Sequence, residues 1–203
     1  MNLKSIYNEL YEEHGPQGWW PINNKYNKKD FSEKTEEEKF EIAVGAILTQ
    51  NTSWKNVETA LNKLRENNAL NKETIKNISQ KALSKLIISS GYHNQKARKL
   101  KEFAEFNKDI TRENLLSIWG IGPETADSIL LYAYNQPNFV IDTYTKRVLL
   151  HNKIGKPEWS YEKWQNLFHN NLEKDYRLFN EFHSLFVEHA KQLKNQIKKQ
   201  KFL

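Results

Sequence analysis

Residues 115–147, LLSIWGIGPETADSILLYAYNQPNFVIDTYTKR, hold two helical segments hinged on a glycine turn and finish just beyond an apolar run that ends in Asp142. Leu115, Leu116 and Ile118 keep a helical pattern as far as Trp119. Gly120-Ile121-Gly122 then turns the chain, since glycine reaches backbone angles and close approaches that a side chain blocks. Pro123 suits the first position of a new helix, where its missing N–H costs nothing. Ala126, Ile129, Leu130 and Ala133 follow at helical spacing. The first N–H groups of a helix have no partner within it, so a helix, glycine turn and helix can clamp an anion. Phe139-Val140-Ile141 is an apolar run that delivers Asp142 to the start of a further helical stretch. A carboxylate there accepts backbone N–H bonds and lies at the positive end of the helix dipole, and both favour its ionised form.

Upstream, the chain reads as helices throughout. Leu3, Ile6, Tyr7, Leu10 and Tyr11 form an apolar stripe that Gly15-Pro16 stops. A loop with adjacent indoles, Trp19 and Trp20, precedes a polar, basic connection. Thr35-Glu36-Glu37-Glu38 is a capping-box sequence opening a helix with Phe40, Ala43, Val44, Ile47 and Leu48. Gln50-Asn51-Thr52 follows, and Thr52 or Ser53 caps the next helix, whose apolar positions are Val57, Leu61 and Leu64. Residues 79–88 and 94–106 read as two more helices, and Thr111 caps the first arm of the glycine hairpin. Downstream, a helix runs from Asp142 to about Asn152, and Ser160 caps a segment with Trp164 and Phe168. A long helix with Phe182, Phe186 and His189 ends in a basic tail at residues 194–201. No strand, repeat or low-complexity block is expected.

The formal net charge of +6 over 203 residues fits either a polyanionic partner or simple solubility. There is no cysteine, which excludes disulfides, thiolate zinc sites and iron–sulfur clusters. The lack of a long apolar run leads us to expect a soluble, cytoplasmic, monomeric protein without a membrane partner. The histidines, His183 and His189 among them, have no carboxylate or cysteine at ligand spacing, so no metal site is expected.

The segment from Ile118 to Ala126, together with Asp142, resembles the helix-hairpin-helix and Gly/Pro/Asp signature of the endonuclease III-like DNA glycosylases. The resemblance implies an all-α fold of two helical lobes with the active cleft between them. A six-helix lobe would span residues 35–136, and residues 1–34 with 137–203 would form the other lobe, carrying Asp142. It implies that Gly120, Ile121 and Gly122 hold a DNA phosphate, with a monovalent cation sometimes bound at hairpin carbonyls. Asp142 takes the place of the family's catalytic Asp. Glu124 stands where lyase-active members carry the Schiff-base lysine, and a carboxylate cannot do that chemistry. Many relatives carry a cysteine-held cluster near the C-terminus, so this chain resembles the cluster-less branch, which includes helical 3-methyladenine glycosylases.

Further site residues follow from that resemblance. Gln50, Asn51 and Thr52 match the loop that fills the gap left by a flipped base, although a plain polar loop has the same composition. Trp19 and Trp54 match the two aromatic positions that sandwich the base, where a cationic purine stacks well on indole; Trp20 reads as packing. Glu124 is either a pocket residue or a first-turn acid favoured by the helix dipole. Lys146 and Arg147 face either the phosphate backbone or solvent. The expected function is a monofunctional DNA N-glycosylase acting on double-stranded DNA with a damaged base, such as 3-methyladenine, without a required cofactor. Two alternatives stand beside it. One is an endonuclease III-type glycosylase and abasic-site lyase acting on oxidised or mismatched pyrimidines. The other is a hairpin protein that binds DNA without catalysis.

Overall fold

The computed structural model describes residues 2–28 and 31–200, with side chains described as far as residue 193. The side chains of the basic tail therefore lie outside the described residues. Eleven α-helices occur among the described residues: α1 (Leu3–His14), α2 (Glu36–Leu48), α3 (Trp54–Glu66), α4 (Lys72–Asn77), α5 (Gln80–Leu86), α6 (His93–Glu105), α7 (Arg112–Leu116), α8 (Pro123–Tyr134), α9 (Thr143–His151), α10 (Tyr161–His169) and α11 (Tyr176–Gln200). They contain no strand, only an isolated bridge between Ile22 and Lys25. The chain divides into two compact units. One comprises Ile22–Lys25 and Ser32–Tyr134; the other comprises Met1–Pro21, Tyr26–Phe31 and Asn135–Leu203.

The unit built from α2 to α8 is organised on α2. Thr35 and Glu38 form the capping box reciprocally, and Ile42 through Leu48 are all buried. A helix that is apolar on every side belongs inside a core. Helix α8 packs on it with Ile129, Leu130, Leu131 and Ala133 buried. This unit holds seven α-helices rather than six, because Asn71 caps the short α4 by accepting the N–H of Thr74. The sequence pattern misses α4 because a six-residue helix with one buried apolar side chain, Ile75, shows no periodicity. The segment at 79–88 is also split, into α5 and a 3-10 turn at Ile88–Ser90.

Lys96 is almost wholly buried, 1 % exposed, and its Nζ donates to Leu48 O at 2.8 Å and Ser90 O at 2.6 Å. The first of these is the last carbonyl of α2, which has no partner within its own helix. One ammonium thus satisfies two carbonyls that would otherwise be stranded. Burial, reinforced by the nearby Lys99 charge, lowers the Lys96 amine to about 8.

In the other unit, α10 organises the segment that leads to Asp142. Phe139 N–H donates to His169 Nε2 at 3.1 Å, Gln165 Nε2 donates to Phe139 O at 2.8 Å, and Ile141 N–H donates to the Tyr161 hydroxyl at 3.3 Å. Tyr161, Gln165 and His169 are four residues apart on α10 and share one face. They supply the partners that a neighbouring strand would supply, so the extended run needs no sheet. The Phe139 ring stacks on Phe168 and meets Phe179 and Phe182 edge-on, fixing the segment from its apolar side.

Replacing Lys96 with Met is expected to destabilise the protein by about 2–4 kcal/mol in chemical denaturation, because two buried carbonyls lose their donor. A pH series gives a second readout. The native amine titrates near 8 and the unfolded one near 10.5, so the unfolded chain binds the extra proton between them. This group therefore makes stability rise with pH across that window, and the rise is absent in Lys96→Met.

Candidate active site

Asp142 is the N-cap of α9. Its Oδ1 accepts the Thr145 N–H at 2.7 Å, and the backbone is extended at this position, as capping requires. Its Oδ2 lies 3.6 Å from His183 Nε2 on α11. That separation exceeds an ordinary hydrogen bond, so the contact is an electrostatic pairing rather than a tight lock. The carboxyl side chain is 13 % exposed and the imidazole 10 %. Burial pushes the Asp142 carboxyl up, but the His183 imidazole opposite and the Thr145 N–H outweigh it, so the net shift is below the ordinary aspartate value. A carboxylate kept ionised in a nearly dry site interacts strongly with any positive charge that develops beside it.

His183 is the residue that the sequence pattern missed. It sits among Phe179, Phe182 and Phe186 on a stripe of buried rings, where a histidine reads as packing. The only local hint is that Asn180, Glu181, His183 and Ser184 put four buried polar side chains into one apolar stretch. The expectation that the histidines lack carboxylate partners is corrected twice over. His183 meets Asp142, and His189 meets Glu13 at 3.4 Å, in each case across helices far apart in sequence.

In the unit built from α2 to α8, the hairpin is assembled from α7, the glycine turn and α8. Thr111 caps α7 by accepting the Asn114 N–H. The two glycines have different tasks. Gly120 has a φ of +80°, and a Cβ there would collide with the side chain of Lys99. Gly122 has no atom within 4 Å of where its Cβ would be, which leaves that backbone open to an approaching group. Ile121 is buried and anchors the turn. The arms are tied by Arg112, whose Nε and Nη2 donate to the two oxygens of fully buried Asp127 at 2.8 and 3.2 Å. Such a forked pair fixes geometry as well as charge.

Gln50 meets the hairpin. Its Nε2 donates to Gly120 O at 3.2 Å and Thr125 Oγ1 at 2.8 Å, and its Oε1 accepts from Lys99 Nζ. The amide expected to reach into a duplex is thus engaged within its own unit, where it braces the turn. Asn51 beside it is exposed with a left-handed φ of 54°, and Thr52 accepts a bond from Asn56. Ser53, not Thr52, occupies the cap position of α3, without a side-chain cap bond. The carbonyls of Ile118, Gly120 and Gly122 each accept a hydrogen bond, so a cation at the hairpin would use their second lone pairs.

Trp19 is half-buried, with its ring edge-on to Trp20 and Tyr26 at 5.3 and 5.7 Å, while Trp20 is buried. Trp19 belongs to the unit of Asp142, and Trp54 is the first residue of α3 in the other unit. Glu124 is exposed in the first turn of α8. Arg147 is exposed with its guanidinium 5.5 Å from the Tyr144 ring, and Lys146 is half-buried.

Replacing His183 with Gln is expected to raise the carboxyl titration of Asp142, followed by carbon-13 NMR. In the unsubstituted protein this carboxyl titrates below the ordinary aspartate value of about 3.9. Because the native value is depressed, the stability it contributes is present above the ordinary value and is lost as pH falls through the native one. An unchanged titration in the variant would remove His183 from the site.

The sequence model for HhH-GPD superfamily base excision DNA repair proteins matches residues 44–174. MJ1434 of Methanocaldococcus jannaschii, a DNA repair glycosylase by name, is 40% identical over 205 residues, covering 93% of this chain and 87% of its own length. Endonuclease III of Sulfolobus acidocaldarius is 32% identical over 121 residues, a match spanning 54% of each chain. The structure of H. pylori 3-methyladenine DNA glycosylase MagIII bound to 1,N6-ethenoadenine superposes with a TM-score of 0.76 at 27% identity, covering 95% of this chain and 98% of that one. Having no cysteine, the present chain offers no thiolate to an iron–sulfur cluster. It belongs to the HhH-GPD superfamily of base excision DNA repair proteins, as an endonuclease III-like DNA glycosylase without a cluster.

Proposed function

We propose that this glycosylase is monofunctional: it hydrolyses the N-glycosidic bond of a damaged base in double-stranded DNA and leaves an abasic site. The observation that carries this reading is Asp142, an ionised carboxylate capped by Thr145 N–H and faced by His183. Cleavage of the bond between C1′ and the base nitrogen builds positive charge on the sugar, and an anion beside it lowers that barrier. The base leaves with the bonding electrons, water adds its oxygen to C1′, and the proton it sheds passes to the Asp142 carboxylate. Gly120 and Gly122 hold a phosphate through backbone N–H groups, a contact that sets register without reading sequence, while the Ile121 N–H donates to Ile118 O and fixes the turn that presents them. Asn51, Thr52, Lys146 and Arg147 add contacts to the DNA, and Gln50 supports the turn. A monovalent cation on the hairpin carbonyls is compatible with this role and is not needed for the chemistry.

The substrate class we infer is an alkylated purine such as 3-methyladenine. Such a base is cationic, so it is already a good leaving group and needs little general acid, which suits a site with one carboxylate. It also stacks favourably on indole, the part assigned to Trp19 and Trp54. The likeness to MagIII, a 3-methyladenine glycosylase, supports this choice. Glu124 supports hydrolysis over lyase chemistry, since a carboxylate forms no Schiff base. The similarity to an endonuclease III favours a second reading, a glycosylase and lyase acting on oxidised or mismatched pyrimidines.

Asp142→Asn is expected to lower base release from 3-methyladenine duplexes by at least roughly 100- to 1,000-fold while leaving DNA affinity within a few-fold. Retained turnover would refute the role of Asp142. Borohydride reduction during turnover is expected to trap no covalent DNA adduct; an adduct would establish the second reading.

A further inference from the structure

Glu13 and His14 are the last two residues of α1, and His189 on α11 meets both. His14 Nε2 lies 3.0 Å from His189 Nδ1. His189 Nδ1 lies 3.4 Å from Glu13 Oε2, and His14 Nε2 lies 3.6 Å from the same oxygen. Three donor atoms thus form a nearly equilateral triangle. Metal–ligand bonds of about 2.0–2.1 Å at tetrahedral angles hold donors about 3.3–3.4 Å apart. An ion seated just off the plane of this triangle therefore reaches all three donors at bonding length with little movement of either helix.

We propose that Glu13, His14 and His189 bind one divalent transition-metal ion of the zinc class. Two imidazole nitrogens and one carboxylate oxygen suit zinc and its neighbours; calcium and magnesium prefer oxygen throughout. The His14 side chain is 3 % exposed and that of His189 is 19 %, so two ligands are held by packing; Glu13, at 50 %, closes the site from solvent. Outer support is present as well. Gln192 Nε2 lies 3.5 Å from His14 Nδ1. When His14 ligates through Nε2 its Nδ1 carries the proton, and a half-turn of the Gln192 amide presents the oxygen that accepts it. The negative end of the α1 dipole also favours a cation here. Water completes the fourth position. The ion fastens the end of α1 to α11, the helix that carries His183. This site does not depend on the glycosylase reading.

The test uses the full chain without an affinity tag, stripped with a chelator and titrated with zinc chloride by calorimetry. One site per chain is expected, together with a visible absorption band of four-coordinate character when cobalt(II) is added. Zinc is expected to raise the melting temperature of the unsubstituted chain, as for any ligand that binds only the folded state. His14→Gln and His189→Gln are each expected to weaken zinc at least roughly 100-fold and to abolish the thermal shift. Circular dichroism establishes that the variants fold. Glu13→Gln, at a half-exposed position, folds without difficulty and still weakens zinc about 10-fold. No binding by the unsubstituted chain, or equal binding by it and by Glu13→Gln and the folded histidine variants, would overturn the proposal.

Discussion

A negative charge held away from bulk water needs compensation from its surroundings, and Asp142 receives it from two directions. One oxygen takes the Thr145 N–H at the positive end of α9; the other faces the His183 imidazole. Neither partner is chemically unusual. The backbone donor exists because any helix start leaves N–H groups unpaired, and the imidazole is set by the packing of α11 among phenylalanines. What matters is that together they outweigh the cost of burial, so the group stays anionic where an anion has most effect.

The hairpin solves a different problem, that of keeping backbone rigid while leaving it accessible. Side chains do the bracing from beneath. Lys99 lies where a Gly120 side chain would be, Gln50 links the turn to α8 through Thr125, and Arg112 is forked onto Asp127. Removing one partner of that buried pair would leave an uncompensated charge between the two arms. The outer surface at Gly122 stays bare. A phosphate site made of backbone groups depends on such bracing, because it has no side chain that can adjust to a displaced ligand.

Much of this was legible in the sequence where cause and effect are local. Thr35 with Glu38, Thr111, Ser160 and Asp142 each announce a helix start, and each makes its cap bond. The glycine turn and its flanking helices follow from residue type alone. The short α4 escaped because one buried isoleucine makes no pattern. His183, and the meeting of His189 with Glu13, escaped because their partners lie on other helices, joined by tertiary packing that no spacing rule encodes. Gln50 was legible as a polar loop residue, but its attachment to Gly120 spans seventy positions. Contacts of that range become visible only in three dimensions.

The ladder of Tyr161, Gln165 and His169 along Phe139 to Ile141 has one further effect. In an extended segment successive residues face opposite ways, so a slip by one position would offer carbonyls to acceptors and turn the Phe139 ring out of its stack. The run therefore has a single home position, indexed by a helix like a rack against a pinion. Insertions or deletions between Phe139 and Asp142 would be intolerable even where they spare every named site residue, because they would carry the carboxylate off its mark.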